Sequence, residues 1–163
     1  MIRFVQALAL AATLLLCAGH VSFAQPAPAQ IVKQRHEAME QLWPDDYRDV
    51  SRTLKTNKPD LALVTAKSAQ AIEHLKKLAA LFPPGTGRDV VPATRAKPEV
   101  WTQRAAFEAG LKAMLDTTRA LGDAAKSGDV EKVKAQWQEV AKACTGCHGG
   151  PDKSGGKFRF EKE

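Results

Sequence analysis

The stretch that decides the fold is residues 130–151, VEKVKAQWQEVAKACTGCHGGP, near the carboxyl end of the chain. Its first apolar residues recur every three or four positions, the spacing of one face of an α-helix. They are Val130, Val133, Trp137 and Val140. Asp129 precedes the stretch as an N-cap, and Gly149-Gly150-Pro151 ends it. We therefore predict a helix over 130–148 that buries one face.

The end of this helix carries Cys144-Thr145-Gly146-Cys147-His148, a C-x-x-C-H sequence. This is the attachment sequence for c-type haem, in which the two thiols form thioethers to the vinyl groups and the histidine reaches the iron. On a helix, residues three and four apart lie on one face, so all three side chains project together toward the core. The sequence predicts one haem c per chain, with Cys144 and Cys147 attached covalently and His148 as an axial ligand.

Two other uses of the cysteines are less well supported. A C-x-x-C redox dithiol expects a strand before the motif and a helix after it, and it does not need the following histidine. A structural zinc site needs four ligands, and only His36 and His74 remain beyond the amino terminus to complete a Cys2His2 set. Haem attachment is favoured over both.

The amino-terminal residues have the pattern of an export signal. Arg3 supplies the positive start, residues 7–18 supply an apolar run, and Ser22-Phe23-Ala24 supplies the cleavage site. A transmembrane anchor is the alternative, but the uncharged stretch is only marginally long enough to span a bilayer. We predict a signal peptide at 1–24, a Pro/Ala/Gln-rich linker at 25–30 and a periplasmic protein, with no membrane span after cleavage.

Composition agrees with an exported single domain. The 163 residues contain 24 Lys and Arg against 18 Asp and Glu, a net charge of +6, with 44% hydrophobic residues and three cysteines. Removing residues 1–24 removes one arginine and Cys17, which leaves 139 residues, a charge of +5 and the two cysteines of the motif. These values exclude a disulfide-stapled miniprotein and an acidic disordered tail. The remaining domain, 31–163, is long enough to bury a core.

Two helices are predicted before the middle of the chain. The first runs from Val32 to Leu42, is interrupted at Trp43-Pro44 because proline removes a backbone hydrogen bond, and continues to Leu54. The second begins at Pro59-Asp60 and stops before Pro83-Pro84-Gly85. Its inward-facing residues are Leu61, Val64, Ser68, Ile72, Leu75 and Leu78.

A long loop at 83–98 separates these helices from a third, which is predicted to run from Pro98 to Gly128. The inward-facing residues of the third helix are Trp101, Phe107, Leu111, Met114, Thr118, Leu121 and Ala125. Four amphipathic helices with one long crossover predict an all-α fold, an antiparallel four-helix bundle with covalently attached haem.

The mature chain resembles the class II c-type cytochromes, which include cytochrome c prime and its six-coordinate, low-spin relatives. The resemblance depends first on the C-terminal C-x-x-C-H and on Arg35-His36-Glu37-Ala38-Met39 in the first helix. It depends also on Phe82-Pro83-Pro84-Gly85-Thr86-Gly87, followed by Ala96-Lys97-Pro98-Glu99-Val100-Trp101 and Phe107.

In low-spin members of this family an R-x-x-x-M pattern places the methionine sulfur on the iron opposite the histidine. The resemblance therefore implies Met39 as the second axial ligand and Arg35, one turn earlier, as the partner of a haem propionate. In cytochrome c prime an apolar non-ligand takes that place and the iron is five-coordinate.

From the residues alone several candidates for the second axial position stay open: Met39, Met114, His36, His74 or a lysine. Met114 is predicted to fill the core, because methionine at heptad spacing usually does so. His36 is expected on the helix surface near a propionate, and His74, which lies off the apolar stripe, is expected to be solvated.

The sequence departs from the family pattern after the motif. Family members often close with an aromatic-arginine pair soon after the histidine, whereas here Gly149 to Gly156 intervene before Phe158-Arg159. The sequence therefore assigns no haem contact to this pair.

The leading functional prediction is an electron carrier, not an enzyme, with His148 and Met39 as axial ligands. A thioether stabilises ferrous iron, and two strong ligands leave no site for a substrate. The alternative is five-coordinate binding of nitric oxide or carbon monoxide, which follows if Met39 does not bind. A peroxidase would need a polar acid/base residue in an open distal site, and only His36 is available for that role.

Basic residues in the 88–97 loop, with Lys142, Lys153 and Lys157, are candidates for a positive rim that steers an acidic periplasmic redox partner. Ordinary solubility is the alternative explanation of this charge. Nucleic acid is not expected as a partner, because the chain is exported and lacks a recognition pattern. Some relatives pair through their first two helices, which makes a homodimer a candidate here.

Overall fold

The computed structural model describes residues 26–150 and 155–160. The predicted signal peptide at 1–24 lies outside these residues. The helical elements are α1 (Pro28–Glu40), a π-helical segment (Gln41–Tyr47), α2 (Arg48–Thr53), α3 (Leu61–Ala79), α4 (Glu99–Thr102), α5 (Arg104–Lys126) and α6 (Val130–His148). Because α1 begins at Pro28, three residues of the predicted linker at 25–30 are helical. Proline is well suited to this first position, since its missing N–H would lack a partner there in any case.

The elements form a helical bundle, so the predicted fold class is confirmed. Helix α3 packs against α5, α5 packs against α6, and α1 with the π-helical segment packs against α3. Fully buried aliphatic residues from three of these helices meet in the core. They are Val64, Leu78, Leu121, Val133 and Val140. Each such side chain stabilises the fold by about 2 kcal/mol relative to an exposed position. None of the helices in the described ranges has the length and apolar character needed to cross a membrane.

The α-helix is interrupted at Trp43-Pro44 as predicted, but by a π-helical segment, so the chain stays helical from Pro28 to Thr53. Pro44 lies inside the π-helical segment, and the N–H of Arg48 donates to the carbonyl of Trp43, five residues earlier. The wider turn accommodates the residue whose missing N–H would break a regular α-helix. The first helix of the bundle is therefore continuous from Pro28 to Thr53, with no break between its two halves.

Helix α3 begins as predicted, since the Asp60 carboxylate accepts a hydrogen bond of 2.9 Å from the N–H of Leu63. Most of its predicted inward residues are buried, but Ala71 takes the place predicted for Ile72, which is only half-buried. Its buried residues are Val64, Ser68, Ala71, Leu75 and Leu78. The observed steps of four and three residues follow the helical period more closely than the predicted series.

The predicted third helix is two helices, because the backbone of Gln103 leaves the helical region at φ −116° and ψ 46°. The short α4 is tied to the preceding loop, since the Trp101 indole N–H donates to the carbonyl of Pro83 at 3.0 Å. Helix α5 then carries the buried seam as predicted, with Phe107, Met114, Thr118, Leu121 and Ala125 buried. The turn into α6 also follows the prediction, with Gly128 at φ +77° and the Asp129 carboxylate accepting from the N–H of Lys132.

The expectation that His74 is solvated is wrong. Its Nδ1 lies 2.7 Å from Oδ2 of Asp46, whose side chain is 1% exposed, and Lys67 Nζ lies 3.9 Å from the other carboxylate oxygen. Burial raises the pKa of Asp46, while the hydrogen bond and charge of His74 act in the opposite direction. The π-helical segment supplies Asp46 and α3 supplies His74, so this buried contact joins the first two long helices.

We predict that His74→Ala lowers the free energy of unfolding by about 3 kcal/mol, because it leaves the Asp46 carboxylate buried without its closest partner. Urea denaturation of the holoprotein measures this loss. His36→Ala is the matched control, since His36 lies 3.6 Å from Glu40 with 73% of its side chain exposed. It should change stability by less than about 0.5 kcal/mol. Equal losses in the two variants would contradict the prediction.

Candidate haem site

The structure brings the three predicted motif side chains together at the end of α6. Cys144, Cys147 and His148 are all half-buried, and they continue the face on which Val140 is fully buried. The helix ends at Gly149, which has φ +83° and donates its N–H to the carbonyl of Thr145 at 2.8 Å. A positive φ favours glycine, so the residue after the motif suits a sharp end to the helix.

The two thiols are free and lie in apolar surroundings. Sγ of Cys144 lies 3.9 Å from Sδ of Met114 on α5, and Cys147 lies beside Gly110 on the same helix. Burial raises the pKa of Cys144 to about 11, with a smaller contribution from Cys147, and burial also raises the pKa of Cys147. Two thiols three residues apart on one helix, followed directly by a histidine, fit attachment to the two vinyl groups of a haem.

The imidazole of His148 is suited to bind iron. Burial lowers its pKa to about 4, and the positive charges of Arg159 and Arg95 lower the pKa further in the same direction. The side chain is therefore neutral at neutral pH. Neutral imidazole is the form that ligates transition metals.

Residues 155–160, which we call the C-terminal clamp, fold back onto the motif. The N–H of Phe158 donates to the carbonyl of Cys147 at 3.2 Å, and the N–H of Lys97 donates to the carbonyl of Phe158 at 3.0 Å. The ring of Phe158 is buried and its centroid lies 5.3 Å from that of Phe107 in an edge-on contact. The aromatic-arginine pair thus returns to the motif despite the glycine-rich insertion that precedes it.

The clamp approaches the motif so closely that two positions require glycine. A Cβ on Gly156 would overlap the carbonyl oxygen of Cys147, and a Cβ on Gly149 would overlap the carbonyl oxygen of Gly155. Backbone atoms cannot move aside as a flexible side chain can. The glycines in this insertion therefore permit the contact between the clamp and the end of α6.

Arg35 is buried between α1 and the loop that follows α3. Its Nε donates to the carbonyl of Leu81 at 2.9 Å, and its Nη2 and Nη1 donate to the hydroxyls of Thr86 and Thr94 at 2.8 and 3.0 Å. The guanidinium carbon also lies 4.2 Å from the centroid of the Phe82 ring. Burial lowers the pKa of Arg35 to about 10. The structure gives this residue a role in holding the loop, and its pairing with a propionate stays a prediction.

The other predicted ligand, Met39, lies half-buried on α1 and packs against the core. Its role on the iron stays a prediction. Of the alternatives, Met114 is buried beside Cys144, while His36 and His74 each have Nδ1 near a carboxylate, of Glu40 and Asp46 respectively.

Sequence reasoning missed two residues near the motif. Tyr47 is buried, its hydroxyl lies 2.6 Å from that of Thr118, and its ring centroid lies 5.9 Å from that of Trp137. Burial raises the pKa of Tyr47, and the Cys144 thiol adds to this increase. Arg95, whose charge acts on His148, is the second, because the sequence analysis assigned it only to the basic rim of the 88–97 loop.

Comparison with known proteins agrees with this site. The family described as Cytochrome C' matches residues 30–150. A cytochrome c' from Alcaligenes xylosoxydans xylosoxydans is 34% identical over 132 residues, covering 77% of this chain and 94% of the relative. One from Rubrivivax gelatinosus is 32% identical over 122 residues, covering 74% of this chain and 92% of the relative. The solved structure of a ferrous Alcaligenes xylosoxidans cytochrome c prime variant with bound nitric oxide has a TM-score of 0.71 and 26% identity, covering 85% of this chain and 100% of that chain.

A C-x-x-C-H sequence at the end of the fourth long helix of a bundle defines a c-type haem protein. The family match spans most of the chain and includes the motif. The chain belongs to the cytochrome c' family, whose members carry covalently attached haem c.

We predict that Cys147→Ser and His148→Ala each reduce the yield of holoprotein, because they remove a thioether and an iron ligand respectively. Haem staining of the denatured protein measures covalent attachment, and the absorption spectrum measures bound haem. Thr145→Ala is the control, because Thr145 is exposed between the two cysteines. Undiminished haem yield in the Cys147 and His148 variants would contradict the assignment of the motif.

We also predict that Gly156→Ala lowers the free energy of unfolding by more than about 1 kcal/mol, because the added methyl would displace the clamp from Cys147. Hydrogen exchange at the Phe158 amide should quicken in this variant. Gly146→Ala is the control: a Cβ there meets nothing within 4 Å. Because alanine favours a helix, this control should leave stability unchanged or raise it by up to about 1 kcal/mol. Unchanged exchange at Phe158 in Gly156→Ala would count against the proposed close contact.

Proposed function

We propose that this chain is an exported haem c protein that would bind a diatomic gas, nitric oxide or carbon monoxide, at the haem iron. One observation carries the proposal: the family described as Cytochrome C' matches residues 30–150, which include the C-x-x-C-H motif at the end of α6. The relative with TM-score 0.71, which is described with bound nitric oxide, supports the same choice of ligand.

The chain's own residues would hold the cofactor and exclude water. When bound, haem c supplies an iron that can take a small ligand. Cys144 and Cys147 would tether the ring, and His148 would supply one axial nitrogen. The buried side chains of Phe107 and Val140 keep the motif face of α6 apolar. An apolar environment suits uncharged diatomic gases. They lose few hydrogen bonds when they leave water, whereas water itself loses several.

Electron transfer with His148 and Met39 as axial ligands is the second candidate. The observation that favours it is Met39 itself, a half-buried thioether on the bundle side of α1, one turn after the buried Arg35. Thioether ligation stabilises ferrous iron, so such a protein would suit a carrier of single electrons. Neither candidate requires the chain to be an enzyme.

We further propose that the protein acts in the periplasm.

Part of the predicted basic rim is engaged within the fold. Lys97 Nζ donates to the carbonyl of Gly156 at 2.8 Å, and the guanidinium of Arg88 lies 5.0 Å from the centroid of the Phe160 ring. Lys157 is exposed, and Lys153 lies outside the described residues. Lys97 and Arg88 both keep their positive charge in these contacts, so a basic patch for an acidic partner remains part of the proposal.

A homodimer through the first two helices also stays a proposal. It is supported by Trp43, a large apolar side chain that is 56% exposed on the π-helical segment. Exposed apolar surface of this kind is common at protein interfaces.

Absorption spectroscopy of the holoprotein tests gas binding against electron transfer. We expect a high-spin spectrum, rapid carbon monoxide binding by the ferrous protein, and no change of spin state in Met39→Leu, because the proposal leaves the sixth position open. Met114→Leu is the control for loss of a thioether elsewhere in the core. A low-spin spectrum with a methionine-to-iron charge-transfer band that disappears in Met39→Leu would replace gas binding with the electron carrier.

A further inference from the structure

Two arginines lie on backbone segments that pair next to the motif. Arg95 belongs to the loop before α4, and Arg159 belongs to the C-terminal clamp. An isolated antiparallel bridge joins Ala96 to Arg159, and the N–H of Phe160 donates to the carbonyl of Arg95 at 2.8 Å. The pairing of the two backbones places Arg95 and Arg159 at neighbouring positions of one bridge, next to Phe158, whose N–H donates to the carbonyl of Cys147. The charges of the two arginines also act on each other. Burial lowers the pKa of Arg159, and the positive charge of Arg95 lowers it further.

Arg95 has buried donors without acceptors. Its Nε and Nη2 are shielded from solvent and have no hydrogen-bond partner among residues 26–150 and 155–160. Buried guanidinium donors are rarely left unpaired, since burying a charge without a partner is costly. Two like charges placed side by side add to this cost. The site therefore has the composition of an anion-binding site.

The unpaired donors have the arrangement that binds a carboxylate. Nε and Nη2 are neighbouring donors on one edge of the planar guanidinium, and arginine binds carboxylates with two parallel N–H bonds of this kind. The cofactor that attaches to the adjacent motif carries two propionates. We propose that Arg95, backed by the positive charge of Arg159, binds one of the haem propionates.

This assignment differs from the one that the family resemblance implies. Arg35 already donates three hydrogen bonds to Leu81, Thr86 and Thr94, so two of its five donors remain uncommitted within the described part of the chain. Arg95, by contrast, has both donors of its Nε–Nη2 edge without a partner in the described residues. Arg35 therefore stays a candidate for the other propionate. The proposal depends on haem attachment and not on which ligand the iron takes.

The test compares the wild-type holoprotein with Arg95→Gln and Arg95→Lys. The readouts are the propionate bending band in the resonance Raman spectrum and the pH dependence of the reduction potential. Lys126→Gln is the control, because Lys126 is exposed and lies at the end of α5, next to the turn that starts α6 and away from the motif. It removes the same charge at the opposite end of the two helices.

We expect Arg95→Gln to shift the Raman band and to make the potential pH-dependent in mildly acidic solution. A propionate that loses a paired guanidinium titrates at a higher pH than one that keeps it. Arg95→Lys should restore most of the pH independence but not the wild-type band, because lysine keeps the charge and the stem without the planar pair of donors. Lys126→Gln should leave both readouts unchanged.

A Raman band in Arg95→Gln and Arg95→Lys that is identical to the wild-type band would overturn the proposal. So would a shift that appears in Arg35→Gln and in neither Arg95 variant, since Arg35 would then be the sole partner. If Arg95→Gln does not accumulate as holoprotein, the Raman band of Arg95→Lys alone decides between the two results. Carbon monoxide binding measured on the same samples reports on the proposed gas ligand separately, so the two proposals can fail independently.

Discussion

A buried guanidinium needs an acceptor for its donors, and the three hydrogen bonds of Arg35 meet this need by fixing the loop after α3 to the first helix. The rest of the site depends on this contact. The loop, once fixed, presents the backbone of residues 95–97 to the C-terminal clamp, and the clamp in turn contacts Cys147 at the end of α6. A side chain in the first helix is thus connected to the haem motif through two segments that have no regular helix or strand of their own.

Some polar groups inside the bundle join helices to each other, and others lie next to the haem motif. Asp46 and His74 contact each other between the first two long helices, where no cofactor is expected. Around His148 the balance of charge is positive, because the charges of Arg95 and Arg159 both act on this residue. No carboxylate of the described ranges accepts a hydrogen bond from the buried donors of Arg95. Such an excess of positive charge is reasonable in a protein whose cofactor brings its own carboxylates. The apolar core and the charge beside the motif are therefore both shaped to receive the haem.

The features that the sequence predicts well are those with local causes. The Asp60 and Asp129 caps, the apolar face of α6 and the C-x-x-C-H motif each depend on residues a few positions apart. The features that it does not predict depend on distant residues. Nothing local shows that Pro44 is absorbed by a π-helical turn, that His74 meets a buried Asp46, or that Arg95 lies beside Arg159. The axial role of Met39 rests on a family pattern and not on any contact described above.

The clamp also has a consequence for the order in which the protein assembles. Its pairing with the loop joins residues about 60 positions apart, as between Lys97 and Gly156, whereas each helix forms from neighbours. Closing so long a loop costs more chain entropy than forming a helical hairpin, so we expect the clamp to close late in folding. Until then the carbonyl of Cys147 and the side of α6 beside it stay uncovered. A clamp that closes late would leave the motif uncovered while the haem is attached and would cover it only afterwards.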